Sequence, residues 1–302
     1  MKETIKTYYR LTKPGIIYGN AITAAAGFFL ASGGYPDYLL LLFTLLGLSL
    51  VIAGGCVFNN YIDRDMDARM ERTRDRAFVA GSVTASFALL YGITLAFAGF
   101  GLLILYVNLL AAEFAALGLL VYVFVYSVWA KRRTFYATHV GGIAGAMPPV
   151  VGYVAVTGSV DTAVLILFFI LALWQIPHFF SIVIYRARDY ANARVPALPL
   201  LRSARETNIQ ILLFIALFMF AALALWALGY TGLWYFYIVL GCSLTWFLIA
   251  LLGFVSIDKV KWARRMFALS LIVLLAVSIG MSLDAAPKET TPPAYDSGLV
   301  RS

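Results

Sequence analysis

Apolar residues in this chain fall into long blocks, each close to the length of about 20 residues that a helix needs to cross the hydrocarbon core of a bilayer. Backbone N–H and C=O groups in lipid must be bonded within the segment, so such blocks read as helices. Nine spans are predicted, over 15–32, 38–61, 84–107, 109–130, 136–156, 162–185, 208–229, 232–255 and 265–283. Turn-like pieces such as Ser32-Gly33-Gly34-Tyr35-Pro36 and Thr157-Gly158-Ser159 separate several of them, whereas only Val107-Asn108 divides the third from the fourth. A barrel would show short strands of alternating hydropathy, which this sequence lacks. The predicted fold class is therefore an all-α integral membrane bundle of nine helices, with residues 1–286 as a single polytopic domain. The stretch 287–302, rich in Pro, Thr and charge, reads as a disordered tail.

Composition agrees with the pattern: 62% of the 302 residues are apolar and 13% charged, which excludes an ordinary soluble domain. Cys56 and Cys242 both lie inside apolar blocks and read as small core residues rather than a disulfide or metal site. The net charge of +8 would suggest nucleic acid were it not for where the charge sits. Lys2, Lys6, Arg10 and Lys13 precede the first span, and Arg64, Arg69, Arg72, Arg74 and Arg76 follow the second. Lys131, Arg132 and Arg133 follow the fourth span, Arg186, Arg188, Arg194, Arg202 and Arg205 the sixth, and Lys259, Lys261, Arg264 and Arg265 the eighth. Only Lys288 and Arg301 lie on the other side. Such alternation is the positive-inside pattern of a cytoplasmic N-terminus, an odd number of spans and a C-terminus across the membrane. It supports the count of nine and leaves no charge for a nucleic-acid partner. A polar N-terminal segment without a cleavable signal or an Arg/Ser-rich transit pattern points to a bacterial plasma membrane.

Two loops on the basic side carry the candidate chemistry. In the first, Asn59, Asp63 and Asp67 recur every four residues; each step turns a helix by only about 40°, so the three stack along roughly 12 Å of one face. Carboxylates so stacked repel unless a cation or a neighbouring arginine neutralises them, and Mg²⁺ favours a few carboxylates, waters and phosphate oxygens. Asp65 points to nearly the opposite side, and Asp65 and Asp75 read as ordinary partners of neighbouring arginines. In the second loop Asp189 sits among Arg186, Arg188 and Arg194, an arrangement suited to an anion held by guanidinium forks. Each loop follows the second helix of an apparent four-helix half, so two parallel repeats would bring them out on the same side. Within the spans, His139 and His178 are functional candidates because ionisable side chains there are expensive. Glu113 reads as paired or protonated, and Pro148-Pro149 as a break or kink in span five. A transporter would keep its acids near mid-membrane; here they cluster at helix ends, which favours an enzyme.

Asn59-x₃-Asp63-x₃-Asp67 followed by Arg72-Thr73-x-x-Arg76 resembles the first aspartate-rich motif of the UbiA-type intramembrane prenyltransferases, and most closely that of their haem-farnesylating branch. Leu11-Thr12-Lys13-Pro14-Gly15, Lys131-Arg132-Arg133, 141–152 with Pro148-Pro149, Trp174-x-x-Pro177-His178 and Asp189-Tyr190-x₄-Val195-Pro196-x-Leu198-Pro199 extend the likeness over about 8–283. One departure stands out: four residues after Asp189, where many members carry a second aspartate, this chain has Ala193. The resemblance implies a bundle of the UbiA type that transfers farnesyl from farnesyl diphosphate to a vinyl group of protoheme IX, with water addition. It implies Mg²⁺ on Asn59, Asp63 and Asp67, with Asp189 as a further ligand. Diphosphate would be held by Arg72, Arg76, Lys131, Arg186, Arg188 and Asp189. His178 and His139 would contact haem, whose iron is usually held by imidazole, while Tyr61, Tyr153 and Trp174 would shelter the prenyl cation or its chain. Membrane lipid, haem A synthase and terminal oxidase assembly are the further partners implied. Prenylation of a quinone precursor is the rival within the same fold.

Overall fold

The computed structural model describes residues 2–286, and the stretch expected to form a disordered tail lies outside them. The chain opens with α1 (Lys2–Leu11), α2 (Pro14–Ser32), α3 (Tyr38–Ile62) and the short α4 (Arg64–Asp67). It continues with α5 (Ala85–Tyr106) and α6 (Leu109–Leu120), a π-helical stretch (Val121–Ala130) and α7 (Lys131–Arg133). The second half holds α8 (Ala137–Gly145), α9 (Met147–Thr157), α10 (Thr162–Tyr185), α11 (Ala187–Asn192), α12 (Leu198–Leu201), α13 (Ala204–Ala227) and α14 (Leu233–Leu251), and α15 (Lys259–Leu283) follows. Among the described residues, nine helical segments are long and apolar enough to span a membrane, and the protein is a multi-pass membrane protein.

Where the helices depart from the apolar blocks, polar chemistry explains it. Helix α13 begins at Ala204 rather than 208 because Ser203 Oγ accepts from Glu206 N at 3.2 Å while Glu206 Oε2 accepts from Ser203 N at 3.0 Å, a capping box. Helix α15 starts at Lys259 rather than 265 because Asp258 Oδ1 accepts from Lys261 N at 2.8 Å. The narrow boundary at Val107-Asn108 is a true chain reversal. Asn108 Oδ1 caps α6 through Ala111 N at 2.8 Å, and its Nδ2 donates to Val154 O at 2.9 Å. Span five breaks as its prolines predict. Helix α8 ends before Ala146 and α9 restarts with Pro148 in its first turn, where a missing N–H is tolerated.

The packing follows from small residues, since helices in lipid associate through close van der Waals contact. A Cβ on Gly27 of α2 would stand 2.0 Å from Pro149 O, and one on Gly152 of α9 would stand 1.9 Å from Ala24 O. Backbone therefore meets backbone between α2 and α9. Helix α3 packs on α5, α10 on α13 and α15, and α14 on α13 and α15, while α15 returns to α2 and closes the ring. Phe28, Tyr153, Phe180, Phe218 and Trp246 fill the interior, whereas Leu39, Leu90, Phe97, Leu105 and Phe220 face outward, as lipid-facing side chains should.

Candidate active site

Helix α3 ends at Asp63, whose backbone (φ −85°, ψ 1°) turns the chain into α4. The four-residue ladder continues through this break: Asp63 N donates to Asn59 O at 2.9 Å and Asp67 N to Asp63 O at 2.8 Å. Asn59, Asp63 and Asp67 consequently stay on one side, 3%, 1% and 4% exposed. Asp65, pointing away, is 50% exposed and takes a two-pronged contact from Arg132 at 2.8 and 2.6 Å. That hydrogen-bonded guanidinium holds the Asp65 carboxyl down at about 2.

Three cations converge on the buried face. Lys131 Nζ donates to Asp63 Oδ2 at 2.5 Å, Arg76 Nη1 donates to Asp67 Oδ2 at 2.7 Å, and Lys13 Nζ donates to Asn59 Oδ1. Asn59 Nδ2 donates to Asp63 Oδ2 at 2.9 Å and to Ser127 Oγ at 2.8 Å. Ser127 lies in the π-helical stretch, where its hydroxyl donates to Tyr122 O, five residues back, at 2.8 Å. That extra residue per turn swings Ser127 inward, a distortion often found at functional sites.

The sequence motif did not single out Lys13 or Ser127 as members of this cluster. A signal for Lys13 existed in the Lys13-Pro14 step. Its backbone is left-handed, at φ 53°, which disfavours a side-chain-bearing residue by roughly 1–2 kcal/mol, and the following proline restricts it further. Burial, then the charges of Arg76 and Lys131, draws the Lys13 ammonium down to about 8.

The second loop meets the first directly. Asp189, buried in α11, accepts from Glu71 N at 3.2 Å. Met66 and Met70 pack there against Val183, Ala193, Val195 and Ala197. Ala193 is thus a packing residue, and this explains the departure at that position: an aspartate there would bury a carboxylate in an apolar cluster. The guanidiniums divide between two clefts at this end of the bundle. Arg72 and Arg76 line one with Arg10 and Lys13, and Arg188 lines the other with Asp189, Arg69 and Arg74. Arg186 is exposed, with its guanidinium 5.6 Å from the Tyr185 ring.

The remaining predicted residues lie apart from the acidic face. His178 of α10 sits buried against α15, stacked on Trp174 at 4.5 Å and beside Phe267 at 4.9 Å. Ser270 Oγ donates to Phe267 O at 2.6 Å, so His178 Nδ1 donates to Ser270 Oγ at 2.7 Å, and Trp174 Nε1 donates to Ser270 O at 2.8 Å. His139 lies among Tyr136, Phe180 and Phe214 at 5.4–6.2 Å, with Nδ1 buried and unpartnered. Tyr153 donates at 2.7 Å to Asp161, which caps the start of the 24-residue α10. That start is roughly 36 Å of helix away from the end leading to Asp189. Tyr61 contacts Phe78 edge-on and lies under Arg64. Glu113 is exposed rather than internally paired.

The donor set suits a hard divalent cation. Asn59, Asp63 and Asp67 offer oxygens on one side, and Asp63 Oδ1 is buried with no partner. Among the described residues no group of three or more His, Cys, Asp or Glu forms a cage by itself. A nine-span bundle with such a face at one end is the arrangement of an intramembrane prenyltransferase. Residues 20–272 match the UbiA prenyltransferase family, and the chain belongs to it.

Its relatives carry a particular name. The chain is 49% identical to protoheme IX farnesyltransferase 2 of Pseudomonas paraeruginosa over 280 residues, 93% of this chain and 95% of that one. It is 45% identical to the Shewanella sp. (strain ANA-3) protein of the same name over 292 residues, 96% and 94% of the two chains. Among solved structures, one concerned with digeranylgeranylglyceryl phosphate synthase superposes with a TM-score of 0.76 at 21% identity, covering 93% of this chain and 99% of that one. A UbiA homologue from Archaeoglobus fulgidus bound to GPP and Mg²⁺ superposes with a TM-score of 0.62 at 16% identity, covering 91% and 99%. At such identities these two show the fold.

Proposed function

We infer that this chain transfers the farnesyl group of farnesyl diphosphate to a vinyl group of protoheme IX, with water addition, giving haem O and diphosphate. The acceptor follows from the relatives' name. The observation that carries the chemistry is the buried Asn59–Asp63–Asp67 face met by Lys131 and Arg76.

Asn59, Asp63 and Asp67, with Asp189 as a further oxygen donor, would hold Mg²⁺, which when bound would supply Lewis acidity against the charge that builds on the leaving diphosphate. Lys131 and Arg76 stand at this face, paired with Asp63 and Asp67, and would hold oxygens of the diphosphate. Arg72 reaches the diphosphate from one cleft, and Arg186 and Arg188 from the side of the second loop. The farnesyl C1–O bond breaks with its electron pair leaving on diphosphate, and the vinyl π pair forms the new bond to C1. The resulting cation on the acceptor side chain takes up water, which releases a proton. His178 and His139 are the imidazoles offered to haem. With Nδ1 tied to Ser270, His178 keeps Nε2 for iron, and Trp174 fixes its ring plane. Tyr153, at the far end of the bundle, has no part in this reading.

The aspartates lie at the cytoplasmic face of a bacterial inner membrane, with the N-terminus on that side and the C-terminus periplasmic, in keeping with the distribution of Lys and Arg. The product is handed on to haem A synthase or to terminal oxidase assembly. Mass spectrometry of haem extracted from membranes expressing the chain, beside an Asp63→Asn control, tests the reading. A farnesyl-plus-water mass increase in the wild type alone supports it. Unmodified haem in both, with the protein well expressed, overturns the acceptor assignment and turns attention to quinone precursors.

A further inference from the structure

We propose that Lys13 exchanges partners during substrate binding, leaving the carboxamide oxygen of Asn59 for an oxygen of the prenyl diphosphate, and so couples diphosphate binding to metal binding at the acidic face. This rests on the prenyl-diphosphate reading above but assigns a residue and a linkage that the reading does not contain.

The argument begins with how the three cations are held. Lys131 is paired with the Asp63 carboxylate and Arg76 with the Asp67 carboxylate. Lys13 alone has a neutral acceptor, the amide oxygen of Asn59. An ammonium or guanidinium facing a carboxylate gains a Coulombic attraction between full charges that one facing a neutral amide lacks, so of the three contacts that of Lys13 yields most readily to an incoming anion. Asn59 is itself held from the other side, because its Nδ2 is committed to Asp63 and Ser127. Its oxygen therefore stays in place when Lys13 departs.

Geometry gives the ammonium somewhere to go. Lys13 is only partly buried, and it lines the same cleft as Arg10, Arg72 and Arg76, with the carboxylate of Asp75 at that cleft too. An anion entering this cleft meets three guanidiniums and finds the ammonium at its inner side. The backbone supports the assignment: Lys13 is one of two non-glycine residues with positive φ among the described residues, and strain of this kind concentrates where a side chain must be aimed. An ammonium on Asn59 Oδ1 also competes with a divalent ion for that oxygen, by occupying its lone pair and by charge repulsion. Diphosphate that draws Lys13 away would remove the competitor and offer the ion oxygens of its own, so each ligand would strengthen the other, and the coupling is reciprocal.

The test uses the full chain in detergent, Mn²⁺ followed by electron paramagnetic resonance, and farnesyl thiolodiphosphate as an unreactive analogue. In the wild type the analogue is expected to raise Mn²⁺ affinity by about tenfold or more. Lys13→Met is expected to bind Mn²⁺ alone several-fold more tightly than wild type while binding the analogue more weakly, so that the coupling collapses toward one. Lys13→Arg, which keeps the charge, is expected to restore most of it and controls for folding, alongside the melting temperature of each variant. Lys13→Met that weakens Mn²⁺ and analogue together, with coupling intact, marks a merely structural tie and overturns the proposal. Wild type that binds analogue and Mn²⁺ without any coupling also overturns it while leaving the prenyl-diphosphate reading standing. Wild type that binds no analogue at all overturns both.

Discussion

The two loops at the basic end of the bundle occupy equivalent positions, each after the second span of its half, yet they are built differently. In the first, the carboxylates of Asp63 and Asp67 are nearly inaccessible and each holds a cation, and the Asn59 amide, bonded to Ser127 of another span, fixes the row from the side. In the second, the buried Asp189 takes one backbone N–H, its flanking Arg186 and Arg188 are exposed, and the position four residues on is an alanine packed against methionines. The first loop is pre-organised electrostatically, whereas the second is anchored by apolar packing and leaves its charges free. Groups fixed in advance against developing charge contribute most to rate, so the chemistry is expected to depend steeply on the first loop and moderately on the second.

That contrast can be broken in order of expected effect. Asp63→Ala or Asp67→Ala should lower metal-dependent turnover by about a thousandfold, read as haem O formed per enzyme. Asp189→Asn should lower it only by about ten- to a hundredfold; a loss equal to that of Asp63→Ala would mean the two loops are functionally alike. Ala193→Asp, which restores the second aspartate of the wider family, should yield no gain in turnover. It should lower the melting temperature in detergent, since an unpartnered buried polar group costs about 1–3 kcal/mol. A stable and faster Ala193→Asp variant would show that the apolar cluster can make way for a second ligand. Asp65→Ala should cost least, within about threefold, because exposed ion pairs contribute little; parity with Asp63→Ala would dissolve the distinction between the two sides of this segment.

Much of this was legible in the residues because membrane helices announce themselves by length and apolarity. The nine spans follow from that, and so does the four-residue spacing of Asn59, Asp63 and Asp67, which survives even where the helix does not. What escaped was set by contacts distant in sequence. The inward turn of Ser127 depends on a π-helical register that no local pattern in Val121–Ala130 betrays. The partnership of Lys13 with Asn59 joins residues 46 apart. Helix α1 is short, polar and amphipathic, so a search for apolar blocks passes over it. Nor does the sequence tell how the first loop's arginines divide: Arg72 and Arg76 line one cleft, whereas Arg69 and Arg74 join Arg188 of the second loop in another, and loop charges carry no periodicity from which to read direction.

The glycine contacts between α2 and α9 carry a consequence for how the chain is made. The spans containing these helices are the two least apolar of the nine, and each shelters the other where their backbones touch. During synthesis, however, α2 enters the membrane first and its partner is complete only at Thr157. At about 5–20 residues per second, the first span waits many seconds in the bilayer with its small-residue seam uncovered. A ribosome that stalls in this interval leaves that seam open to whatever insertion chaperone or protease samples it.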